Sequence, residues 1–234
     1  MELSWQQAIG LNKEHLCSFP TSTNFDKRYL VNKQILEDFI NLTNQAKLDG
    51  VEISIVSSFR SFDQQMAIWN DKWKGYRPVY AKLGRPLNIT KMSSIEKFKA
   101  IALWSALPGL SRHHWGTDID IFSADAINKG YQVELTPSEF SANGICCELD
   151  DWLNKNLESF GFYRPYKTYN GGVAEEPWHI SHIKTSQSIL DSFDFNAVRN
   201  HINESDICER EFIVERLFDY REKYFLNICS PDSQ

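Results

Sequence analysis

One twelve-residue stretch constrains the fold of this chain more than any other: SRHHWGTDIDIF, residues 111–122. It holds two histidines, one glycine and two aspartates, and polar groups at this density are costly to bury unless they are paired. Gly116 allows a sharp backbone turn, and TDIDIF then alternates polar and apolar residues as a strand does. Asp118 and Asp120 therefore face one side of the strand, and the isoleucines face the other. One carboxylate can thus point to the same place as a histidine from the preceding turn.

A second polar cluster, EEPWHISH at residues 175–182, supplies Glu176, His179 and His182. Two histidines, one carboxylate and an open position form the ligand set of a catalytic zinc site. A further glutamate beside such a site can deprotonate a metal-bound water. A histidine in an aromatic-rich core is more commonly a hydrogen-bonded structural residue, and the sequence lacks the H-E-x-x-H motif. The spacing alone leaves a metal site and a structural cluster equally open.

The bulk properties limit the class of protein. A length of 234 residues fits one domain with an extension, and we expect residues 1–234 to form a single domain. The net charge of −6 argues against a nucleic-acid-binding protein, which usually has a basic face.

The five cysteines are odd in number and two are adjacent, which favours free thiols in a reducing compartment. The sequence has no signal peptide and no apolar run of membrane-spanning length, so we expect a cytoplasmic chain. Export followed by removal of a leader is the alternative.

Hydrophobic periodicity indicates short strands alternating with amphipathic helices. Residues 74–92 contain two prolines and two glycines and are expected to be irregular. Residues 123–144 resemble a loop, with a helix start near 136–139. Residues 205–228 carry one apolar stripe, which predicts a C-terminal helix packed on the body, and a partner-binding helix is the alternative. The other predicted helices are 26–48, 94–106 and 148–162, and residues 59–73 are expected to form a turn that runs into a helix. The predicted strands are 51–58, 117–122 and 177–183.

The two polar clusters together carry a family resemblance. The pattern S-x-H-x-x-G-x-x-x-D followed by E-x-W-H resembles the LAS metallopeptidases, which include lysostaphin-type endopeptidases, D-Ala-D-Ala peptidases and the sonic hedgehog signalling domain. SSFRSFDQQ at residues 57–65 resembles the R-S-x-x-x-Q segment of the D-alanyl-D-alanine carboxypeptidase branch. The similarity spans about residues 26–184, and only the joint pattern is specific. The matching positions are Arg60, Gln65, Ser111, His113, Gly116, Asp120, Glu176, Trp178 and His179.

The resemblance implies an α+β fold in which a small antiparallel sheet flanked by helices carries the site. It implies a peptidase core at residues 26–184 with an excursion at 74–110, followed by a helical C-terminal extension at 185–234. The excursion is expected to be either a lid over the cleft or a surface insertion.

The resemblance also assigns roles at the site. His113, Asp120 and His179 would bind one zinc ion, and Glu176 would serve first as general base and then as general acid. Arg60 would stabilise the oxyanion, because a guanidinium stays charged and offers several donors.

Further residues have supporting roles in this scheme. Ser111 and Gln65 would help to hold the substrate. The family often has a small residue where this chain has Asp118. We expect Asp118 to orient a ligand histidine, and a competing metal ligand is the alternative. His114 is expected in the cleft wall or behind a ligand, and His182 is expected to be structural.

The implied activity is that of a zinc-dependent carboxypeptidase that removes a terminal D-alanine from peptidoglycan-type peptides. The alternatives within the enzymes are an L,D-carboxypeptidase, a D,D-dipeptidase and a peptidoglycan endopeptidase. The alternative from another class is a zinc-bearing binding module without hydrolysis, as in hedgehog. The presence of Glu176 and Arg60 speaks against that last alternative.

Overall fold

The computed structural model describes residues 2–82 and 84–231, and in that part of the chain it places two small antiparallel sheets among helices. The strands are β1 (Leu16–Ser18), β2 (Leu30–Asn32), β3 (Ile53–Ser57), β4 (Asp118–Ser123), β5 (Phe162–Tyr163) and β6 (His179–His182). The helices are α1 (Trp5–Ala8), α2 (Leu36–Leu48), α3 (Phe62–Lys74), α4 (Ser94–Ala102), α5 (Ala124–Asn128), α6 (Cys147–Asn156), α7 (Ile183–Asp191), α8 (Phe195–Glu204), α9 (Arg210–Glu215) and α10 (Leu217–Tyr220). Single 3-10 turns cover Ile89–Lys91, Arg112–Trp115, Pro137–Phe140 and Leu157–Phe160, and a π-helical turn covers Arg221–Phe225.

The register of the larger sheet brings the two polar sequence clusters together. Its strand order is β3-β4-β6-β5, and β4 pairs antiparallel with β6. Asp120 lies opposite His179, and Asp118 lies opposite Ser181. Because directly opposed residues share a face and side chains alternate along a strand, these four side chains lie on one face of the sheet. The predicted α+β fold with a small antiparallel sheet flanked by helices is confirmed.

The other face of the same strands is apolar and anchors the sheet. Ile119, Ile121 and Ile180 are fully buried in a cluster that includes Phe39 of α2 and Leu153 of α6. Burial of each such side chain contributes about 1.5–3 kcal/mol to folding. A second buried cluster joins α3 and α4 to the C-terminal helices through residues such as Trp69, Phe98, Val198 and Tyr220. The strands that carry the polar face are therefore anchored on their apolar side by the first of these clusters.

Helix α3 directly follows the Arg60 segment and is sharply defined at both ends. Ser61 and Gln64 form a capping box at its start, and Gly75 ends it with a φ of 81°. Phe62 and Trp69 bury its apolar face in the second cluster. The helix thereby fixes the backbone beside Arg60.

Four predicted elements differ from the structure, and one is the helix expected at 148–162, which ends at Asn156 and is followed by a 3-10 turn and by β5. The helix expected from residue 26 begins only at Leu36, because Leu30–Asn32 pair with β1 instead. The loop expected at 123–144 contains α5 (Ala124–Asn128), whose first turn is capped by the Ser123 hydroxyl. The single helix expected at 205–228 is divided into α9, α10 and the π-helical turn. No helix in the described ranges is both long and apolar enough to cross a membrane.

Candidate metal centre and its cleft

Three buried side chains from separate segments meet on the polar face of the sheet: His113, Asp120 and His179. One possible ligand atom from each lies within 4.8 Å of the others. His113 Nε2 is 3.3 Å from Asp120 Oδ2, and His179 Nδ1 is 3.2 Å from Asp120 Oδ1. We call these residues the metal trio.

A glycine sets the position of His113 in the trio. The 3-10 turn Arg112–Trp115 carries this histidine and ends at Gly116, whose φ is 66°. A Cβ at Gly116 would lie 2.5 Å from a methyl carbon of Leu16 and 2.8 Å from the backbone nitrogen of Asn32. Only glycine fits there, so the turn into β4 depends on it.

The hydrogen bonds of the trio leave its inward-facing atoms available to a metal ion. His113 Nδ1 donates to the Ser58 carbonyl at 2.9 Å, and His179 Nε2 donates to Asp118 at 2.9 Å. Each imidazole then has its lone pair on the other nitrogen, which faces the trio. Oδ1 of Asp120 is buried and accepts no hydrogen bond within the described residues. Two imidazole nitrogens and a carboxylate oxygen are donors that fit a zinc ion.

The carboxylates around His179 also change its titration. Burial lowers the pKa of His179, but the neighbouring carboxylates of Asp118, Asp120 and Glu176 outweigh this effect, and the pKa lies well above its ordinary value. A site that attracts a proton this strongly attracts a metal cation for the same electrostatic reason, and the two compete.

A buried polar network lies behind His179. Asp118 Oδ1 accepts from Arg112 Nε at 2.7 Å as well as from His179, and its Oδ2 accepts from Thr117 at 2.7 Å and Ser181 at 3.0 Å. Arg112 also donates to Ser181 at 2.6 Å. Burial acts to raise the pKa of Asp118, but Arg112 and His179 lower it below its usual value. The ionised Asp118 therefore fixes the ring of His179.

Arg112 was missed by the sequence analysis. It stands immediately before His113 and is buried, and its guanidinium also lies over the Trp115 ring at 4.8 Å. The signal in the sequence that could have identified Arg112 is Asp118, six positions later. An aspartate in place of the family's small residue needs a buried cation beside it.

Glu176 lies at the open side of the trio. Its Oε2 is 3.4 Å from His179 Nδ1, and its side chain is 13% exposed. The loop before β6 holds it, since its backbone N–H donates to the Tyr166 carbonyl at 3.0 Å. Tyr166 packs its ring edge-on against His179, with the ring centroids 4.9 Å apart. Glu176 is thus a carboxylate that solvent and the trio can both reach.

Arg60 reaches the cleft with its backbone tied to the segment that carries His113. Its N–H donates to the His113 carbonyl at 3.1 Å, and its carbonyl accepts from His114 Nδ1 at 2.6 Å. Its guanidinium donates to Gln65 at 2.7 Å and Ser57 at 3.2 Å. Burial lowers the pKa of Arg60, while Asp120 and Glu176 act to raise it.

Two predicted site residues have roles that the sequence did not specify. Gln65 is fully buried, and its Nε2 donates to the Ala106 carbonyl at 2.6 Å while its Oε1 accepts from Arg60. Each end of the amide makes a hydrogen bond within the protein, so Gln65 supports Arg60, and its expected contact with substrate stays a prediction. Ser111 is 2% exposed and lines the cleft beside the trio.

The second histidine of each polar cluster, His114 and His182, makes hydrogen bonds within the protein through both ring nitrogens. His114 accepts from the Gly109 N–H at 3.0 Å through Nε2, opposite its bond to Arg60, and burial lowers its pKa to about 3. His182 accepts from the Thr185 N–H at 3.3 Å and lies 3.1 Å from Asp38, so it caps α7. Neither histidine belongs to the trio.

A cleft of about 320 Å³ opens over the trio, within the size range of small-ligand sites. Its walls come from α3, from the excursion after α3 and from the loop before β6. The charged and polar lining residues include Arg60, Lys72, Arg77, Ser105, Ser111, Glu134, Tyr166 and Glu176. Lys72, on the last turns of α3, and Ser105 were not predicted by the sequence analysis.

Comparison with known proteins decides the family. The VanY family, described as D-alanyl-D-alanine carboxypeptidase, matches residues 28–185. The chain belongs to this family. A D-alanyl-D-alanine carboxypeptidase of Enterococcus faecalis is 31% identical over 147 residues, which cover 61% of this chain and 44% of that protein. An uncharacterized protein of Haemophilus influenzae is 39% identical over 85 residues, which cover 36% of this chain and 65% of that protein. The chain thus spans less than two thirds of either relative.

Among solved structures, the chain resembles VanYB in complex with D-alanine-D-alanine, with a TM-score of 0.50 and 21% identity. The match covers 78% of this chain and 92% of that one. At this identity the likeness supports the fold, and the resemblance to the D-Ala-D-Ala peptidase branch of the LAS peptidases is confirmed by the family match.

Proposed function

We propose that this chain is a zinc-dependent carboxypeptidase that removes a C-terminal D-alanine from peptidoglycan-type peptides. One observation carries the proposal: the buried trio of His113, Asp120 and His179 has a partly exposed carboxylate, Glu176, 3.4 Å from one of its ligand atoms. The substrate class follows from the family description of a D-alanyl-D-alanine carboxypeptidase. VanYB, whose fold is similar, binds D-alanine-D-alanine.

In this mechanism His113 Nε2, Asp120 and His179 Nδ1 hold the metal ion. When bound, zinc supplies Lewis-acid polarisation of the scissile carbonyl and a water that is acidic near neutral pH. Glu176 accepts the proton of the attacking water and later delivers it to the departing amine nitrogen as the C–N bond breaks. Arg60 donates to the carbonyl oxygen as it gains negative charge, and the loss of one such donor typically slows a reaction by about 10²–10³.

The residues behind these groups keep them oriented. Asp118 and Arg112 fix the His179 ring, and Gln65 together with His114 fixes Arg60 from its side chain and its backbone. In the proposed scheme these residues do not touch the substrate. Ser111 remains a candidate for substrate contact because it lines the cleft.

We further propose that residues 26–184 and the extension at 185–234 fold as one domain. The Tyr220 hydroxyl accepts from the Leu107 N–H at 3.0 Å, and the Cys229 N–H donates to the Pro165 carbonyl at 2.8 Å. These bonds tie the extension to the excursion and to the loop before β6. The excursion at 74–110 supplies a fixed wall, since Trp104 Nε1 donates to the Tyr80 carbonyl at 3.1 Å and both residues line the cleft.

The five cysteines are unpaired, which supports a reducing compartment and free or recycled peptides as substrates. The test of the activity uses the zinc-loaded chain with a pentapeptide muropeptide, a tetrapeptide muropeptide and D-Ala-D-Ala, each with and without a chelator. Mass spectrometry should detect chelator-sensitive loss of one alanine from the pentapeptide. Cleavage of the tetrapeptide alone would assign an L,D-carboxypeptidase, and cleavage of the dipeptide alone a dipeptidase. If all three peptides stay intact, the proposed function is wrong.

A further inference from the structure

The wall of the cleft formed by α3 is cationic, in a chain whose net charge is −6. Arg60 lies just before this helix, Lys72 lies on its last turns, and Arg77 follows it, and all three line the cleft. Cations concentrated in one cleft of an acidic protein favour an anionic ligand there.

Two of these cations have no carboxylate partner within the described part of the chain. Arg77 pairs with Asp71 at 3.1 Å. By contrast, Lys72 donates to the Ser105 hydroxyl at 2.6 Å, and Arg60 donates to the neutral side chains of Gln65 and Ser57. Within the described residues both side chains therefore donate hydrogen bonds to neutral acceptors, and Glu176 acts on both charges without such a bond.

The acids of the cleft do not balance these charges once a metal is bound. Asp120 and Glu176 face the trio, where a divalent ion would offset their two negative charges, and Glu134 is the third acid that lines the cleft, against Arg60, Lys72 and Arg77. The environment of Lys72 agrees with a missing counter-charge. Burial lowers the pKa of Lys72 to about 8, and the nearby Arg60 and Arg77 add to this effect, although Glu176 acts to raise it.

We propose that Lys72, together with the Ser105 hydroxyl, binds the C-terminal carboxylate of the substrate and thereby selects free peptide ends over internal bonds. This inference rests on the proposed function and deepens it. A carboxypeptidase substrate has its carboxylate one residue beyond the scissile bond, and an ammonium with a neighbouring hydroxyl can bind it by charge-assisted hydrogen bonds. A cross-bridge would place a neutral amide there and leave the ammonium unpaired, which disfavours it.

The experiment measures binding, so that turnover does not interfere. The zinc-loaded Glu176→Gln protein is titrated calorimetrically with a peptide that ends in D-Ala-D-Ala and with the same peptide as its C-terminal carboxamide. Lys72→Met is introduced into this background, and Lys74→Met is the matched control, because Lys74 lies on the same last turn of α3 but is exposed. Thermal melting of each variant checks that it is folded.

We expect the peptide with a free carboxylate to bind at least about tenfold more tightly than the carboxamide, because a hydrogen bond to a charged group is stronger than one to a neutral group. Lys72→Met should bring the two affinities within about twofold of each other by weakening the carboxylate form alone, and Lys74→Met should leave the preference unchanged. If Lys72→Met keeps the full preference, or neither peptide binds, the inference is wrong. A carboxylate preference that depends on Lys72, found for a wild-type chain that cleaves no peptide, would contradict only the proposed function.

Discussion

Each polar cluster of this chain contains one histidine of the metal trio and one that is structural. His113 and His114 are adjacent, and His179 and His182 are three positions apart, yet in each pair only the first faces the cleft. The difference lies in hydrogen bonding. His114 and His182 use both ring nitrogens within the protein, whereas His113 and His179 use one and leave the other for a metal. A histidine is available as a ligand when the fold satisfies only one of its nitrogens.

The largest difference in zinc content and activity should appear when each of the two histidines of β6 is replaced by alanine in turn. We expect His179→Ala to lose stoichiometric zinc and to reduce peptidase activity to background, because a ligand is removed. His182→Ala should keep its zinc and lose about 1 kcal/mol of stability, as expected for a helix cap. Metal analysis and denaturant unfolding measure the two effects. Retained zinc in His179→Ala, or lost zinc in His182→Ala, would reverse the proposed assignment.

The next largest effect should come from replacing Glu176, a change that separates proton transfer from metal binding at the same site. We expect Glu176→Gln to lower kcat by about 10²–10⁴, because an amide cannot accept the proton from water. Zinc content should stay at the wild-type level, since Glu176 is not assigned as a ligand. Steady-state kinetics beside metal analysis tests this. Full turnover by the variant would exclude the proposed general base.

A smaller effect should come from the network behind His179. We expect Asp118→Asn to weaken zinc binding by about 10–100-fold, because it removes the charge that orients the ring. It should also cost about 3–5 kcal/mol of folding stability, since the buried Arg112 loses its ionic partner. Competition with a chromogenic chelator measures the zinc affinity. Thr117→Val is the control, because it removes one hydrogen bond to Asp118 and leaves the ion pair in place. An unchanged zinc affinity in Asp118→Asn would leave the network with a purely structural role.

The sequence predicted β4 and its alternation because local periodicity decides them, and the α+β class followed from the family resemblance. It missed β2, since Leu30 and Val31 fit a helical stripe as well as a strand and only the pairing with β1 decides between the two. The function of Lys72 was hidden for a related reason. A lysine on the last turn of a helix is common because it complements the helix dipole, and only the tertiary position of Ser105 directs it into the cleft.

Long-range partners explain the remaining differences at the site. Arg112 appears in the sequence as one basic residue in a polar turn, and its role depends on Ser181, 69 positions away, as well as on Asp118. Gln65 matched the family motif, but its contact with the Ala106 carbonyl, which occupies one end of its amide, could not be read from the motif. Motif positions predict which residues gather at a site. The contacts behind them decide which of those residues meet a ligand.

A fifth histidine extends the comparison to a ring without well-formed hydrogen bonds. Both nitrogens of His15 are buried and lack a hydrogen bond of good geometry within the described residues, and burial lowers the pKa of His15 to about 4, although the nearby backbone of His114 and Trp115 acts to raise it. The unfolded chain, with an ordinary histidine pKa near 6.5, therefore binds this proton first as the pH falls. We expect the free energy of unfolding to fall by up to about 1.4 kcal/mol per pH unit between about pH 6.5 and 4 because of this residue.

The control is His15→Leu, whose unfolding free energy should decline less steeply across that pH range. Denaturant melts of the two proteins at several pH values measure the difference. Parallel declines in both proteins would mean that His15 is protonated as readily in the folded chain as in the unfolded one. A histidine without well-formed hydrogen bonds would then cost nothing on acidification, and hydrogen bonding would no longer suffice to distinguish the histidines of this fold.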